Sequence, residues 1–155
     1  MTPVRAFSLS LAALLVVLAG CGSSPKTVTK AQYQTEIERV GADLSDAGSQ
    51  VGKLRDIASF NQSVENFQEH LRDASKKLKG LKPPANTQDV NKQLAGSFHD
   101  VADELEPVKD ARRESIVEAG KALTKVAKSQ TVKDGRAAIQ RLKELGYDTS
   151  ELHPF

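Results

Sequence analysis

Apolar residues along much of the chain recur at alternating spacings of four and three, which is the repeat of an amphipathic α-helix. The first such stripe consists of Tyr33, Ile37, Val40, Leu44, Ala47, Val51, Leu54 and Ala58. It matches a heptad seam, in which apolar side chains face partner helices. Because a lone helix in water gains nothing from such a stripe, we expect it to pack against other helices, from this chain or from another.

Two further stripes follow with the same stepping. The second begins after polar residues 61–63, which can start a helix, and comprises Val64, Phe67, Leu71, Ala74, Leu78 and Leu81. Pro83 and Pro84 end it, since proline lacks the amide hydrogen that a helix needs. The third stripe comprises Val90, Leu94, Phe98, Val101, Leu105 and Val108, and continues through Ile116, Ala119, Leu123 and Val126. Pro107 lies within it, so we expect this third helix to be kinked or broken near Glu106.

A last helix is predicted over residues 131–145. Its apolar stripe is Ile139, Leu142 and Leu145. Thr131 and Asp134 approximate a capping box at its start. Gly146 and Tyr147 are typical of a Schellman ending, with Tyr147 packed over Leu142. We expect residues 148–155 to form a loose tail.

These stripes predict an all-α fold, an antiparallel bundle of about four helices over residues 32–147. No alternating pattern of apolar and polar residues indicates a β-strand. The length fits one domain with a modest core.

Gly41 and Gly48 lie one heptad apart beside the first stripe, and Gly52 follows. Each glycine costs a helix about 1 kcal/mol relative to alanine. Two interpretations remain open: a neighbouring backbone comes close at these positions, or the helix is simply suboptimal. With Ala47, the small residues Gly41 and Gly48 could also leave a cavity between helices.

The N-terminal residues have the pattern of an export signal. Residues 1–5 include one basic side chain, and residues 6–20 are apolar apart from Ser8 and Ser10. Because a membrane span needs about 20 apolar residues, a cleaved signal peptide over residues 1–20 is favoured over an uncleaved anchor. The run ends in Leu18-Ala19-Gly20-Cys21. This tetrapeptide resembles the lipobox of bacterial lipoproteins, which predicts cleavage between Gly20 and Cys21 and lipidation of Cys21.

Cys21 is the only cysteine in the chain, so it cannot form an internal disulfide. The alternative is an ordinary secretory signal in which Cys21 is incidental. A lipidated Cys21 would begin a tether over residues 21–31 that is rich in glycine, serine and proline at its start. It would hold the bundle within a few tens of ångströms of the bilayer, on the extracytoplasmic face of the cell membrane.

The charge balance argues against some binding partners. The chain has 22 Lys and Arg residues against 20 Asp and Glu residues, and removal of Arg5 with the signal peptide leaves 21 against 20, a net charge near +1. A chain with so little net charge has no strong positive potential that would attract nucleic acid or anionic lipid.

Clustered carboxylates precede Pro107 and suggest a weak candidate for a cation site. The side chains that could form it are His99, Asp100, Asp103 and Glu104, with Glu106 nearby. His99 and Asp103 lie one helical turn apart and could share an ion. The alternative is a solvated helix face, partly neutralised by Lys109, Arg112 and Arg113.

No motif for enzymatic chemistry appears in the sequence. His70, His99 and His153 have no second cysteine or Glu-x-x-His pair to complete a zinc or diiron site. Nucleophile motifs and phosphate-binding glycine loops are also missing from the sequence. We therefore expect no cofactor, no specific metal and no enzymatic activity.

The order of elements resembles small actinobacterial helical lipoproteins of uncharacterised function. The resemblance rests on the lipobox, the tether, the heptad helix, the ending Leu81-Lys82-Pro83-Pro84, the long third helix and the ending Leu145-Gly146-Tyr147-Asp148. It implies a lipid-anchored helical domain on the outer face of the plasma membrane and supplies no catalytic residues.

Two functions fit this organisation. In the first, an exposed helix face or the Pro83-Pro84 turn binds another envelope protein or the wall polymer. In the second, the bundle is a small-ligand carrier or sensor, which would need an interhelical cavity above about 300 Å³.

Overall fold

The structure, a computed structural model, describes residues 27–51 and 57–152. For residues 57, 58 and 112–114 it describes the backbone only. Within these residues the chain forms helices and turns and no strand. The helices are α1 (Lys30–Val51), α2 (Ile57–Gly80), a short 3-10 turn (Ala85–Thr87), α3 (Gln88–Glu104), α4 (Glu106–Glu114), α5 (Ile116–Ala127) and α6 (Gln130–Glu144). The predicted all-α class is confirmed. The predicted number of about four helices is wrong, since the described residues form six.

Several predictions of the sequence fall outside this description. They concern the signal peptide, Gly20, Cys21, residues 22–26 of the tether, Gly52, Leu54 and His153.

Four long helices, α1, α2, α3 and α6, form the body of the bundle. Gln68 of α2 donates to the carbonyl of Ala102, and Ser75 further along α2 donates to the carbonyl of Ala95. Because the partners on α3 descend as the positions on α2 ascend, these two helices run antiparallel. The same reversal relates α1 to α2 and α3 to α6.

Most of the core of the bundle comes from the predicted apolar stripes, but Phe60, Val132, Ala138 and Leu152 are buried without having been predicted. Of the predicted positions, Ile116 is exposed, and Ile139 and Leu145 are only half-buried. The largest fully buried side chains include Tyr33, Ile37, Leu44, Phe60, Leu71, Leu78, Leu94, Phe98 and Leu142. Val51, the last described position of the first stripe, is half-buried. The buried residues of the described chain lie between Tyr33 and Leu152, so the chain downstream of residue 20 contains all of them.

The second helix begins earlier than predicted. α2 starts at Ile57, so residues 61–63 lie inside the helix and do not cap it. Ser63 Oγ donates to the carbonyl of Ser59, one turn back. This contact satisfies the hydroxyl without ending the helix.

The predicted long third helix is divided in two places. α3 ends at Glu104 and α4 begins at Glu106, with Pro107 in the first turn of α4, where the missing amide hydrogen has no intrahelical partner to lose. The second division lies at Ser115, between α4 and α5, and was not predicted from the sequence. Ser115 is extended, and its Oγ accepts the amide hydrogen of Glu118 as the N-cap of α5. α4 and α5 therefore pack on each other as a short hairpin after α3.

The predicted N-terminal cap of α6 is wrong, whereas its predicted Schellman ending is confirmed. Ser129, not Thr131, is the N-cap, because its Oγ accepts the amide hydrogen of Val132. Thr131 instead bonds to Glu104 of α3. At the other end, Gly146 has φ +78°, and the Gly146 and Tyr147 amides donate to the carbonyls of Lys143 and Leu142. This is the predicted Schellman ending.

The prediction of a loose tail is wrong for residues 148–152. The Leu152 side chain is buried, and Gln34 of α1 bonds to both the carbonyl and the amide of Asp148. A Cβ added to Gly41 would lie 2.6 Å from the carbonyl carbon of Glu151. Of the two interpretations of the glycines, close approach of a backbone therefore holds at Gly41.

Gly48 has a different environment. A Cβ there would lie 3.4 Å from the Phe67 ring, an ordinary packing distance. No close backbone requires glycine at this position.

A buried hydrogen-bond chain joins three helices near the start of α1. The Tyr33 hydroxyl donates to Asn91 Oδ1 at 3.0 Å, and Asn91 Nδ2 donates to the carbonyl of Leu78 at 2.8 Å. The Tyr33 ring also meets the Tyr147 ring edge-on, with centroids 5.3 Å apart. Burial raises the pKa of Tyr33, and Tyr147 adds to the rise.

We expect Tyr33→Phe to lower the free energy of unfolding at pH 7 by about 1 to 2 kcal/mol, because Asn91 Oδ1 loses its donor. The pKa of Tyr33 is raised by folding, so its neutral form stabilises the protein fully below the unfolded value of about 10, and this contribution falls as pH rises beyond it. Urea unfolding at pH 7 and above pH 10 should show a smaller alkaline loss in Tyr33→Phe than in the parent. An identical alkaline loss in both proteins would contradict the assignment.

Candidate functional site

The acidic residues around the end of α3 are held by different partners. Asp103 lies 3.1 Å from Arg72 of α2 and 3.7 Å from His99 Nε2. Glu104 is instead bonded to Thr131 of α6. The exposed Asp100 has no ion-pair partner among the described side chains. The structure thus divides the four candidate ligands between two sides of α3.

Glu106 belongs to a separate set of contacts at the start of α4. Its carboxylate lies 2.7 Å from Lys109 Nζ and accepts a hydrogen bond from Gln68 at 3.0 Å. The hydrogen bond from Lys109, followed by that from Gln68, lowers the pKa of Glu106. Lys109 therefore neutralises part of the acidic face as expected, and Arg72, on another helix, is a partner that sequence spacing could not indicate.

Within residues 27–51 and 57–152, no group of three or more His, Cys, Asp and Glu side chains is placed to hold a metal ion. His70 lies on α2 beside a hollow of about 140 Å³ that Asp43, Asp73 and Lys77 also line. Each carboxylate has a lysine partner, since Lys77 lies 3.0 Å from Asp43 and Lys76 lies 3.1 Å from Asp73.

Millimolar calcium is expected to shift the melting temperature no more than sodium chloride of equal ionic strength does. The physical reason is that Asp103 and Glu104 bind different helices and offer no shared ligand set. Thermal melts of the parent and Asp103→Asn should therefore respond to calcium alike. A saturable rise in the parent that Asp103→Asn abolishes would establish a cation site.

A mostly apolar cavity lies between α5 and the junction of α3 with α4. Its volume is about 280 Å³, and its walls include Glu104, Pro107, Ala122, Lys125 and Val126. It opens to solvent on one side. Beside it, Glu104 Oε2 is buried without a hydrogen-bond partner.

A second hollow lies where the end of α1 approaches the start of α2. It has a volume of about 340 Å³ and is an open, polar groove lined by Gln50, Ser59, Gln62, Ser63 and Asn66. The small residues Gly41, Ala47 and Gly48 line none of these hollows, because Glu151 fills the space beside Gly41 and Phe67 lies against Gly48.

The two surfaces proposed from sequence for partner binding differ in accessibility. Pro83 is buried and Pro84 half-buried, and the neighbouring Lys82 carbonyl accepts the amide hydrogen of Val28. The Pro83-Pro84 turn is therefore largely packed against the bundle. In contrast, Ile116 and Val117 at the tip of the α4–α5 hairpin are 45% and 61% exposed.

Sequence reasoning missed this hairpin, although a local signal was present. Ser115 and Glu118 have the Ser-x-x-Glu spacing that marks the start of a helix. In the stripe of apolar residues, α5 reads as a continuation of α3, because Ile116, Ala119, Leu123 and Val126 keep the same stepping.

No family model matches the chain, and neither a curated protein nor a solved structure gives a significant match. Among the described residues, no helix has both the length and the apolar character needed to cross a membrane. The resemblance to small helical lipoproteins stays a prediction from the sequence.

Proposed function

We propose that the protein is a lipoprotein of the cell envelope, held by a lipid on Cys21 at the extracytoplasmic face of the cell membrane. The observation that carries this proposal is the apolar run of residues 6–20 ending in Leu18-Ala19-Gly20-Cys21, with no other cysteine in the chain. Two or more acyl chains at the new N-terminus would give stable attachment. The folded domain begins a few residues later, with α1 at Lys30.

We further propose that the domain has a non-enzymatic role, in which the surface of the bundle binds another component of the envelope. Support comes from the exposed apolar tip of the α4–α5 hairpin, Ile116 and Val117. An apolar patch kept in water is a common mark of a contact site. The hairpin replaces the Pro83-Pro84 turn as the favoured contact surface, since that turn is largely packed.

The alternative is a carrier or sensor of a small ligand. The cavity beside α5 and the unpartnered Glu104 Oε2 are the observations that favour it. Its volume of about 280 Å³ lies just under the usual lower bound of about 300 Å³ for ligand pockets. The hollow of about 340 Å³ between α1 and α2 exceeds this bound, but it is an open, polar groove. Surface binding is therefore the better-supported function.

Cys21→Ser is expected to abolish labelling of the protein by a fatty-acid probe and to release processed protein from membranes into the soluble fraction. Ser24→Ala, three residues further along the tether, is the matched control and should keep both properties. Metabolic labelling and fractionation of cells measure the two effects. Unchanged labelling and membrane retention in Cys21→Ser would overturn the lipid anchor.

Native mass spectrometry of protein purified from membranes distinguishes the two roles. Surface binding predicts the mass of the protein with its lipid and no further small molecule. A stoichiometric small molecule that is lost on Val126→Trp, a substitution that fills the cavity beside α5, would establish the carrier function.

A further inference from the structure

The α4–α5 hairpin presents its apolar tip at one end of the bundle. Among the described residues, Ile116 and Val117 are the large apolar side chains that stay exposed. The hairpin follows the end of α3, where Glu104 meets the start of α6. The start of α1 lies at the other end, where Val28 meets Lys82. The tip and the tether therefore lie at opposite ends of the bundle.

One face of α5 combines this tip with a row of lysines. Val117, Lys121 and Thr124 of α5 and Lys128, its C-cap, are spaced by four, three and four residues, so they lie along one side of the helix. All four are exposed, as is Lys125 beside them. The opposite side of α5 packs inward through Ala119, Ala122, Leu123 and Val126.

The charge on this face is predominantly positive. This face carries three lysines, Lys121, Lys125 and Lys128, whereas α5 has a single carboxylate, that of Glu118. Glu118 lies 2.7 Å from Lys121, but both side chains are well exposed, and such surface pairs are weak and easily exchanged. From the near-neutral charge of the whole chain we expected no attraction of anionic lipid. The fold, however, brings three lysines together beside the apolar tip, so the local charge there is positive.

An apolar tip beside a basic edge is the arrangement of helices that lie in the membrane interface. Apolar side chains enter the region between headgroups and acyl chains, and lysines remain at the level of the phosphates. Each lysine near an anionic surface strengthens membrane binding about fivefold.

We propose that the α4–α5 hairpin is a second membrane contact, in which Ile116 and Val117 enter an anionic bilayer surface and Lys121, Lys125 and Lys128 contact lipid phosphates. This inference rests on the proposed function, because the lipid on Cys21 is what would place the bundle close to the bilayer. The eight residues between Cys21 and Lys30 let these two residues lie at most about 30 Å apart, and α3, with 17 residues, is about 25 Å long. A bundle lying along the membrane could thus hold both contacts.

The test uses the chain from residue 21 onward with Cys21→Ser, which has no lipid but contains every buried residue of the described part of the chain. Its binding is measured by flotation with vesicles of phosphatidylcholine alone, and of phosphatidylcholine and phosphatidylglycerol in a two-to-one ratio. We expect binding to the anionic vesicles at least tenfold stronger than to the neutral ones, and weakening as salt is raised. Because this protein lacks the anchor, the result is independent of the Cys21 experiment.

Two variants locate the contact. The triple variant Lys121→Gln, Lys125→Gln, Lys128→Gln and the double variant Ile116→Ser, Val117→Ser should each lose at least tenfold in binding to anionic vesicles. Their matched controls change exposed residues elsewhere and should bind like the parent: Lys79→Gln, Lys92→Gln, Lys133→Gln for the first, and Ala42→Ser, Ala137→Ser for the second. Circular dichroism melts check that all variants are folded.

Three results would overturn the proposal. The first is no preference for anionic vesicles at millimolar lipid, and the second is equal loss of binding in the variants and their controls. The third is a concentration-dependent dimer in analytical ultracentrifugation that Val117→Ser abolishes, since the hairpin would then be an interface between two copies of the chain.

Discussion

Leu44→Ala is expected to lower the free energy of unfolding by about 2 to 5 kcal/mol. The Leu44 side chain is fully buried in the middle of α1. Truncation removes its apolar contacts with the neighbouring helices and leaves a cavity that the surrounding helices fill only in part. A loss of this size is a large fraction of the stability of a small domain.

Urea unfolding of the chain from residue 21 onward, with Cys21→Ser as the common background, measures this loss. Glu38→Ala, on the exposed side of the same helix, is the matched control and should change stability by less than about 0.5 kcal/mol. Equal, small effects of both substitutions would show that α1 is not packed within the monomer.

Gly41→Ala is expected to destabilise the protein although alanine is the better helix former. The added Cβ would lie 2.6 Å from the backbone of Glu151, and that backbone is fixed on both sides, by buried Leu152 and by the bonds of Asp148 to Gln34. Overpacking costs about 1 to 3 kcal/mol, and helix propensity offsets up to about 1 kcal/mol. With the full offset, the net loss should be up to roughly 2 kcal/mol.

Gly96→Ala provides the matched comparison, because a Cβ at this helical position meets nothing within 4 Å. It should stabilise the protein by up to about 1 kcal/mol. Opposite signs for the two substitutions in urea unfolding are the expected result. A gain in both would show that residues 148–152 do not hold their place against α1.

Helical periodicity predicts which residues are buried better than it predicts where helices break. Tyr33, Leu71 and Phe98 take their expected places in the core, because spacing places these stripes on one face of each long helix. Ile116, at the hairpin tip, is a predicted stripe position that stays exposed. The break at Ser115 leaves that spacing unchanged, so periodicity does not reveal it. Only the Ser-x-x-Glu pattern at Ser115 and Glu118 marks it, and such a short pattern competes with a continuous apolar stripe.

Contacts between distant residues account for most other differences. Thr131 is not the N-cap because α6 already begins at Gln130 with Ser129 as its cap, and the Thr131 hydroxyl instead donates to Glu104, which is far away in sequence. Residues 148–152 are held in place because the Leu152 side chain is buried and Gln34 of α1 bonds to the backbone of Asp148. Neither partner can be inferred from local sequence, since each depends on how the helices are arranged in space.

The candidate cation site shows the same limit. Spacing places His99 and Asp103 one turn apart, and the structure shows them 3.7 Å apart. Spacing does not reveal that Arg72 also pairs with Asp103, or that Glu104 lies toward α6. Local spacing thus predicts neighbours on one helix, whereas the electrostatics of the site depend on the helices packed around it.

The mass of the intact protein extracted from cell membranes tests the lipid anchor most directly. Attachment through Cys21 predicts a chain that begins at residue 21 and carries the added mass of a diacylglyceryl group, localised to Cys21 by fragmentation. A membrane-bound chain that still begins at residue 1, or one that begins at residue 21 with an unmodified Cys21, would contradict the account.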